Sequence, residues 1–300
     1  MAVGRESDND AARVWEPLRR TMNTQQVPPF SHEVAKCDAV GGPEGFQAIV
    51  GQSEAIRRAV DLAQRAVNAP TVVLLEGPTG SGKEFLARAI HSAGSRRAKP
   101  FVAVNCGGIC ETLLSSQLVG HRKGAFAGAS RDHKGLLEAA SGGTLFLDEV
   151  AEATPACQAQ LLCALDEREI RPLGASHAAR LDICVIAATN RKLAEEVAQG
   201  RFRADLYFRL SVFEIRVPSL SERRTDIPLL AEHFLQKQTA ALDRRVCGFV
   251  PQALEALACH DYPGNVRQLE HMIVRAIILS EEGALITTRQ LFGDRRGAEQ

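Results

Sequence analysis

The run Gly77-Pro78-Thr79-Gly80-Ser81-Gly82-Lys83 places glycine at three of seven positions and closes on a lysine. It fits the pattern G-x-x-x-x-G-K. Glycines let a backbone wrap closely around phosphate, and successive amides then form an anion-binding nest. A helix that begins there adds positive potential, and the lysine reaches the terminal phosphates. An ordinary glycine-rich turn has the same composition, so the flanks matter. The aliphatic, β-branched run 71–75 precedes the motif as a strand, and 83–93 follows with a helical pattern. Glu84 stands where a serine or threonine commonly helps hold Mg²⁺, which on general grounds weakens the metal site.

A second constellation is Gly143-Thr144-Leu145-Phe146-Leu147-Asp148-Glu149. It reads as a buried strand ending in two acids. An aspartate at the C-terminal end of a strand faces the crevice where α/β sheets bind ligands, so Asp148 would hold Mg²⁺, directly or through water. Glu149 would position and polarise the attacking water. Alone, the two acids fit the N-cap of a following helix equally well. Beside a matched phosphate loop they read as half of an ATP-hydrolysing site. The strand 183–188 leads to Asn190, whose side chain would meet the γ-phosphate or the hydrolytic water; in isolation it is a turn residue.

These side chains need a framework. An amphipathic helix is expected over 53–67, with Ile56, Val60, Ala63 and Val67 on one face. Buried strands are expected at 71–75, 101–104, 144–147, 183–188 and 212–217. Strands alternating with helical segments imply a parallel sheet covered on both faces. After Thr225 strand signals stop, and 226–241, 251–258 and 265–280 read as helices of a small second domain. Residues 1–44 read as a flexible extension, in which 13–22 reads as a short helix at most. The division expected is therefore 1–44 extension, 45–224 α/β domain, 225–293 helical domain and 294–300 tail.

Composition narrows the function classes. The 300 residues are 45% hydrophobic and 24% charged, enough for a sizeable core. Lys plus Arg and Asp plus Glu both total 36, which argues against nucleic acid held by bulk charge alone. The eight cysteines form no C-x-x-C pair or zinc-finger spacing and are expected buried and reduced. His121, His133 and His177 read as loop residues. Neither a signal-peptide core nor a run of roughly 20 apolar residues is present, so a soluble, cytoplasmic chain is expected.

From about residue 49 to residue 292 the chain resembles the central AAA+ domain of bacterial enhancer-binding proteins, the activators of sigma-54 RNA polymerase. The segments that carry the resemblance are 77–84, 120–129, 142–149, 185–191, 200–210, 217–222 and 262–270. Glu84 fits here, because the phosphate loop of this family is normally followed by Glu. The resemblance implies an AAA+ P-loop NTPase: a parallel sheet sandwiched by helices, followed by an all-α lid, binding ATP and Mg²⁺ between subunits of a homohexamer. It makes Asp148 the Mg²⁺ ligand and Glu149 the water-activating acid. Asn105 matches the family's switch asparagine, and Asn190 its γ-phosphate sensor. Arg203 and Arg209 match arginines offered to the neighbouring subunit's nucleotide; read alone, they are solvated helix charges. Arg267, in Pro263-Gly264-Asn265-Val266-Arg267, matches the lid's sensor arginine, where a bland reading is a surface pair with Glu270. Val50 and Gly51 lie where the family packs adenine.

The family's contact loop for sigma-54 reads G-A-F-T-G-A. Here it is Gly124-Ala125-Phe126-Ala127-Gly128-Ala129, so the apolar tip Phe126 is kept and the threonine is replaced by Ala127. No helix-turn-helix is expected within the chain, and 44 residues are too few for a receiver domain. Two expectations follow from the resemblance: an ATPase that remodels the sigma-54 holoenzyme, or an ATP-binding regulator that co-assembles in a hetero-hexamer with, or inhibits, a full-length activator.

Overall fold

The computed structural model describes residues 45–108, 114–126 and 129–293. The expected extension and tail, Cys37, Cys110, Ala127 and Gly128 lie outside the described residues. Five parallel strands form the central sheet: β1 (Val73–Glu76), β2 (Phe101–Asn105), β3 (Thr144–Asp148), β4 (Cys184–Thr189) and β5 (Phe213–Arg216). Their order is β2-β3-β4-β1-β5, with registers such as Asn105 beside Asp148 and Glu76 beside Thr189. Strand side chains alternate between faces. One face, with Leu74, Val104, Leu147 and Ala187, packs on helices α3 (Pro155–Glu167) and α4 (Ala204–Leu210). The other, with Leu75, Phe146, Ile186 and Ile215, packs on α1 (Glu54–Ala66) and α2 (Lys83–Ala93). Burial on both faces explains the continuous apolar runs in the sequence.

On α1 the buried stripe is Ile56, Ala59, Ala63 and Ala66; Val60 and Val67 are only half-buried. The expected face is thus turned slightly, because small alanines let the helix approach the sheet closely. A separate core gathers α5 (Ile227–Leu242), α6 (Pro251–Cys259), α7 (Asn265–Leu279) and α8 (Thr288–Phe292) around Leu230, Phe234, Leu257, Leu269 and Ile273. This helical unit contains a feature the sequence pattern did not suggest. Gly248–Phe249 and Leu285–Ile286 pair as a two-residue parallel ladder, too short to register as a periodicity.

Other expectations need correction. Cys106 and Cys157 are buried and Cys184 is half-buried, but Cys163, Cys247 and Cys259 are exposed. His121 and His133 are not loop residues: they face each other across a short antiparallel pair, their rings stacked at 5.4 Å. Among the described residues no group of side chains could form a metal cluster, and no helix is long and apolar enough to cross a membrane.

Candidate functional site

The phosphate loop leaves β1 at its C-terminal end and turns into α2, whose N-cap is Gly82 at φ +103°. Gly77 and Gly80 are required by close contact. A Cβ on Gly77 would lie 2.4 Å from the Val217 carbonyl oxygen, and one on Gly80, at φ +74°, would lie 2.3 Å from that of Gly264. Lys83 is buried, and its Nζ donates to the carbonyls of Gly77 at 2.8 Å and Pro78 at 3.2 Å. Burial holds its pKa below the ordinary lysine value, while Asp148 and Glu149 pull it upward. Glu84 is engaged one turn along α2 by Arg88, at 2.8 Å.

Asp148 ends β3, and burial raises its carboxyl above the ordinary aspartate value against the opposing pull of the Glu149 amide and Lys83. The amide of Glu149 donates to Asp148 Oδ1 at 3.0 Å. Glu149 itself has left-handed backbone, φ +52° and ψ +44°. That conformation is costly for a residue with a Cβ, and such residues cluster at functional sites. It re-aims the carboxylate away from the strand direction. Asn105, ending the neighbouring strand, places Nδ2 3.5 Å from Glu149 Oε2. Its Oδ1 accepts from the amides of Gly107 at 3.0 Å and Gly108 at 3.2 Å, so the turn holds the side chain. At the end of β4, Asn190 Nδ2 donates to Thr79 Oγ1 at 3.0 Å, joining it to the phosphate loop.

A cleft of about 360 Å³ runs from this acidic pair to the helical unit. Its lining combines polar groups, among them Thr79–Lys83, Asp148, Glu149, His233, Lys237 and Arg267, with the apolar Ile49, Val50, Ile56, Leu230 and Phe234. Val50 lines this cleft. Gly51 does not: it packs against Asp226, whose buried carboxylate accepts from Gln52 N, Ser53 N and Ser53 Oγ. Glu270 pairs with Lys237 and Gln238 and not with Arg267. The donor set suits its expected ligands. Hard carboxylate oxygens match Mg²⁺. A helix N-terminus behind a glycine-walled nest matches a polyphosphate. The apolar side chains in the lining suit a flat base.

Arg203 and Arg209 are not brought to this cleft. Arg203 makes a two-pronged contact with Asp205, 3.0 and 2.8 Å. Arg209 reaches the Leu165 carbonyl at 2.9 Å and Asp166 at 3.2 Å. It lines a separate hollow of about 470 Å³ with Arg96 and Arg168, beside Thr144 at the start of β3 and so at the other edge of the sheet. The loop around Phe126 is closed at its base by Gly124 N to Ala129 O at 2.8 Å and Ala129 N to Phe126 O at 3.0 Å. Phe126 is exposed by 42% and meets His121 edge-on. Sequence reasoning missed Arg223 and Asp226, and quoted Asn265 without a role. All three are buried and polar and tie the start of the helical unit to the α/β unit. Arg223 and Asp226 stand in the wholly polar run 221–226 and Asn265 follows Pro263-Gly264, so no local signal marks them as buried.

Comparison with known proteins agrees with this geometry. The family model described as the sigma-54 interaction domain matches residues 49–216, and that of an AAA+ ATPase lid domain matches 221–300. The transcriptional regulatory protein ZraR of Escherichia coli is 47% identical over 245 residues, covering 81% of this chain and 55% of its own. The hydrogenase transcriptional regulatory protein HoxA of Bradyrhizobium diazoefficiens is 46% identical over 253 residues, 84% of this chain and 52% of its own. The crystal structure of NtrX from Brucella abortus in complex with ATP superposes with a TM-score of 0.73 at 34% identity, covering 81% of this chain and 56% of that one. The chain spans about half the length of the curated relatives it matches. With an AAA+ sheet, a helical lid and a family match over residues 49–216, this chain belongs to the sigma-54 interaction domain family.

Proposed function

We propose that this chain binds and hydrolyses ATP with Mg²⁺ and uses the cycle to remodel sigma-54 RNA polymerase holoenzyme, activating transcription from the cytoplasm as a hexameric ring. One observation supports it above the others: Thr79, Lys83, Asp148 and Glu149 line one cleft with apolar side chains and Arg267 of the lid, while Asn105 contacts Glu149 and Asn190 contacts Thr79. Residues 45–224 are the ATPase subdomain and 225–293 the lid.

In this reading the amides of 79–83 hold the phosphates, Lys83 neutralises their charge, and Val50 and its apolar neighbours seat the base. Asp148 would hold Mg²⁺, which would supply charge neutralisation on the phosphates. Glu149 orients water and takes up its proton. Asn105 restrains Glu149, Asn190 and Arg267 sense the γ-phosphate, and Arg203 and Arg209 act on the neighbour's nucleotide. For that they must exchange Asp205 and Asp166 for phosphate. Phe126 is the contact tip. An open-complex assay on a sigma-54 promoter tests the assignment. Nucleotide hydrolysis with no open complex at any protein concentration, in wild type and in Ala127→Thr alike, would remove the sigma-54 part and leave the ATPase part.

A further inference from the structure

The lid does more than approach the phosphate loop; it occupies three successive carbonyls of that loop. Asn265 Nδ2 donates to Thr79 O at 2.9 Å. Val266 N and Arg267 N both donate to Gly80 O, at 3.0 and 3.3 Å. Arg223 Nη2, at the entry to the lid, donates to Ser81 O at 2.9 Å. Asn265 is 3% exposed, has left-handed backbone at φ +52°, and accepts Leu220 N with its Oδ1 at 2.8 Å. Both ends of one amide are therefore used, one on the loop and one on the lid's own entry strap. The contact also explains why position 80 excludes a side chain: Gly264 O sits where the Cβ would be.

A peptide group has two ends. In this loop the carbonyls of residues 79–81 face the lid; the Ser81 amide donates to Pro78 O at 3.2 Å, which leaves the Gly80 and Gly82 amides for phosphate. Fixing the carbonyls fixes the planes of the peptides and so the direction of the amides. Hydrogen bonds in a chain also polarise one another, which strengthens the amides as donors. We propose that Asn265 is a positioning residue that holds the phosphate loop in its anion-binding form through the Thr79 carbonyl. The inference rests on the ATP reading above and deepens it. Arg267 would act on the γ-phosphate alone, whereas Asn265 acts through the loop on every phosphate. Its loss therefore weakens ADP and ATP equally.

The test measures ADP and ATP dissociation constants, kcat and melting temperature for the full chain, wild type against Asn265→Gly and Asn265→Asp. Glycine keeps the left-handed backbone without the amide. Aspartate keeps the acceptor for Leu220 N but loses the donor to Thr79. Losing one buried hydrogen bond corresponds to about a tenfold effect. Both variants are expected to bind both nucleotides about tenfold more weakly, with kcat at saturating ATP within about threefold of wild type. Arg267→Ala, by contrast, weakens ATP more than ADP. Should Asn265→Gly not fold, Asn265→Asp carries the test, and its melting temperature must stay near wild type while affinity drops. Affinities within about twofold of wild type in the folded variants overturn the role of Asn265, as does a collapse of kcat at unchanged affinity. A wild type that binds neither nucleotide overturns the ATP reading itself, and this inference with it.

Discussion

Asn105 Nδ2 lies 3.5 Å from Glu149 Oε2 across the neighbouring ends of β2 and β3, which run in register with Asn105 beside Asp148. The asparagine is fixed by two backbone amides of its own turn, and the glutamate by a left-handed backbone. Two held side chains at a long contact make a restraint that can be released. Glu149→Gln is expected to bind ATP normally and lower kcat by about a hundredfold or more, the usual scale of general-base loss. Asn105→Ala should cost less, because it positions the base without reacting. Single-turnover measurements with pre-bound ATP separate binding from chemistry, and normal turnover in the Glu149 variant would falsify its role.

Lys83 sits in a half-polar pocket where burial works against its charge and the acidic pair supports it. Bound phosphate would add to that support. Lys83→Ala should weaken ATP by about a hundredfold or more, the scale of a charged buried hydrogen bond. Lys83→Met tests the same point with the aliphatic stem kept. Titration with a fluorescent ATP analogue reads both, and affinity retained in either one would argue that the amides alone suffice.

Within one chain Arg203 and Arg209 are paired with Asp205 and Asp166, and neither lines the chain's own cleft. Specific ATPase activity should therefore rise with protein concentration. Arg209→Ala should keep nucleotide affinity and lose turnover, with a ceiling of about 10³–10⁵-fold as for arginines supplied in trans elsewhere. Mixing Arg209→Ala with Glu149→Gln should restore some activity where a wild-type-like interface forms. Concentration-independent turnover in the wild type would contradict a trans role.

His91 is buried on α2, with Nδ1 2.9 Å from Thr144 Oγ1, and burial followed by the nearby Arg88 lowers its pKa. Its neutral form is the one the fold keeps. Above the ordinary imidazole value of about 6.5 neither state is charged and His91 contributes no slope. Below it the unfolded chain binds a proton that the folded chain resists, so stability falls as pH falls. The melting temperature should drop as pH falls below about 6.5, and His91→Gln should flatten that drop. An unchanged slope in the variant would mean that other groups carry it.

Much of the ATP cleft was legible because its chemistry sits in short contiguous runs. Val73 to Lys83 and Thr144 to Glu149 each combine a strand with the residues at its end, and the parallel direction of the strands delivers those ends to one side of the sheet. The lid ladder at Gly248–Phe249 and Leu285–Ile286 was not legible, since two residues show no period. Nor was the stripe on α1, where packing preferred Ala59 and Ala66 to the larger Val60 and Val67.

By itself, the sequence determined where the glycine-rich loop and the acidic pair stand and that a parallel sheet must carry them, because local pattern and backbone preference are properties of neighbouring residues. Tertiary structure alone decided how those groups are held. Asp226 caps Ser53 from 173 positions away, Asn265 reaches Thr79 across 186, and Asn190 reaches Thr79 across 111. Such contacts depend on where chain closure brings buried polar atoms that must find partners away from water. No local pattern records that meeting.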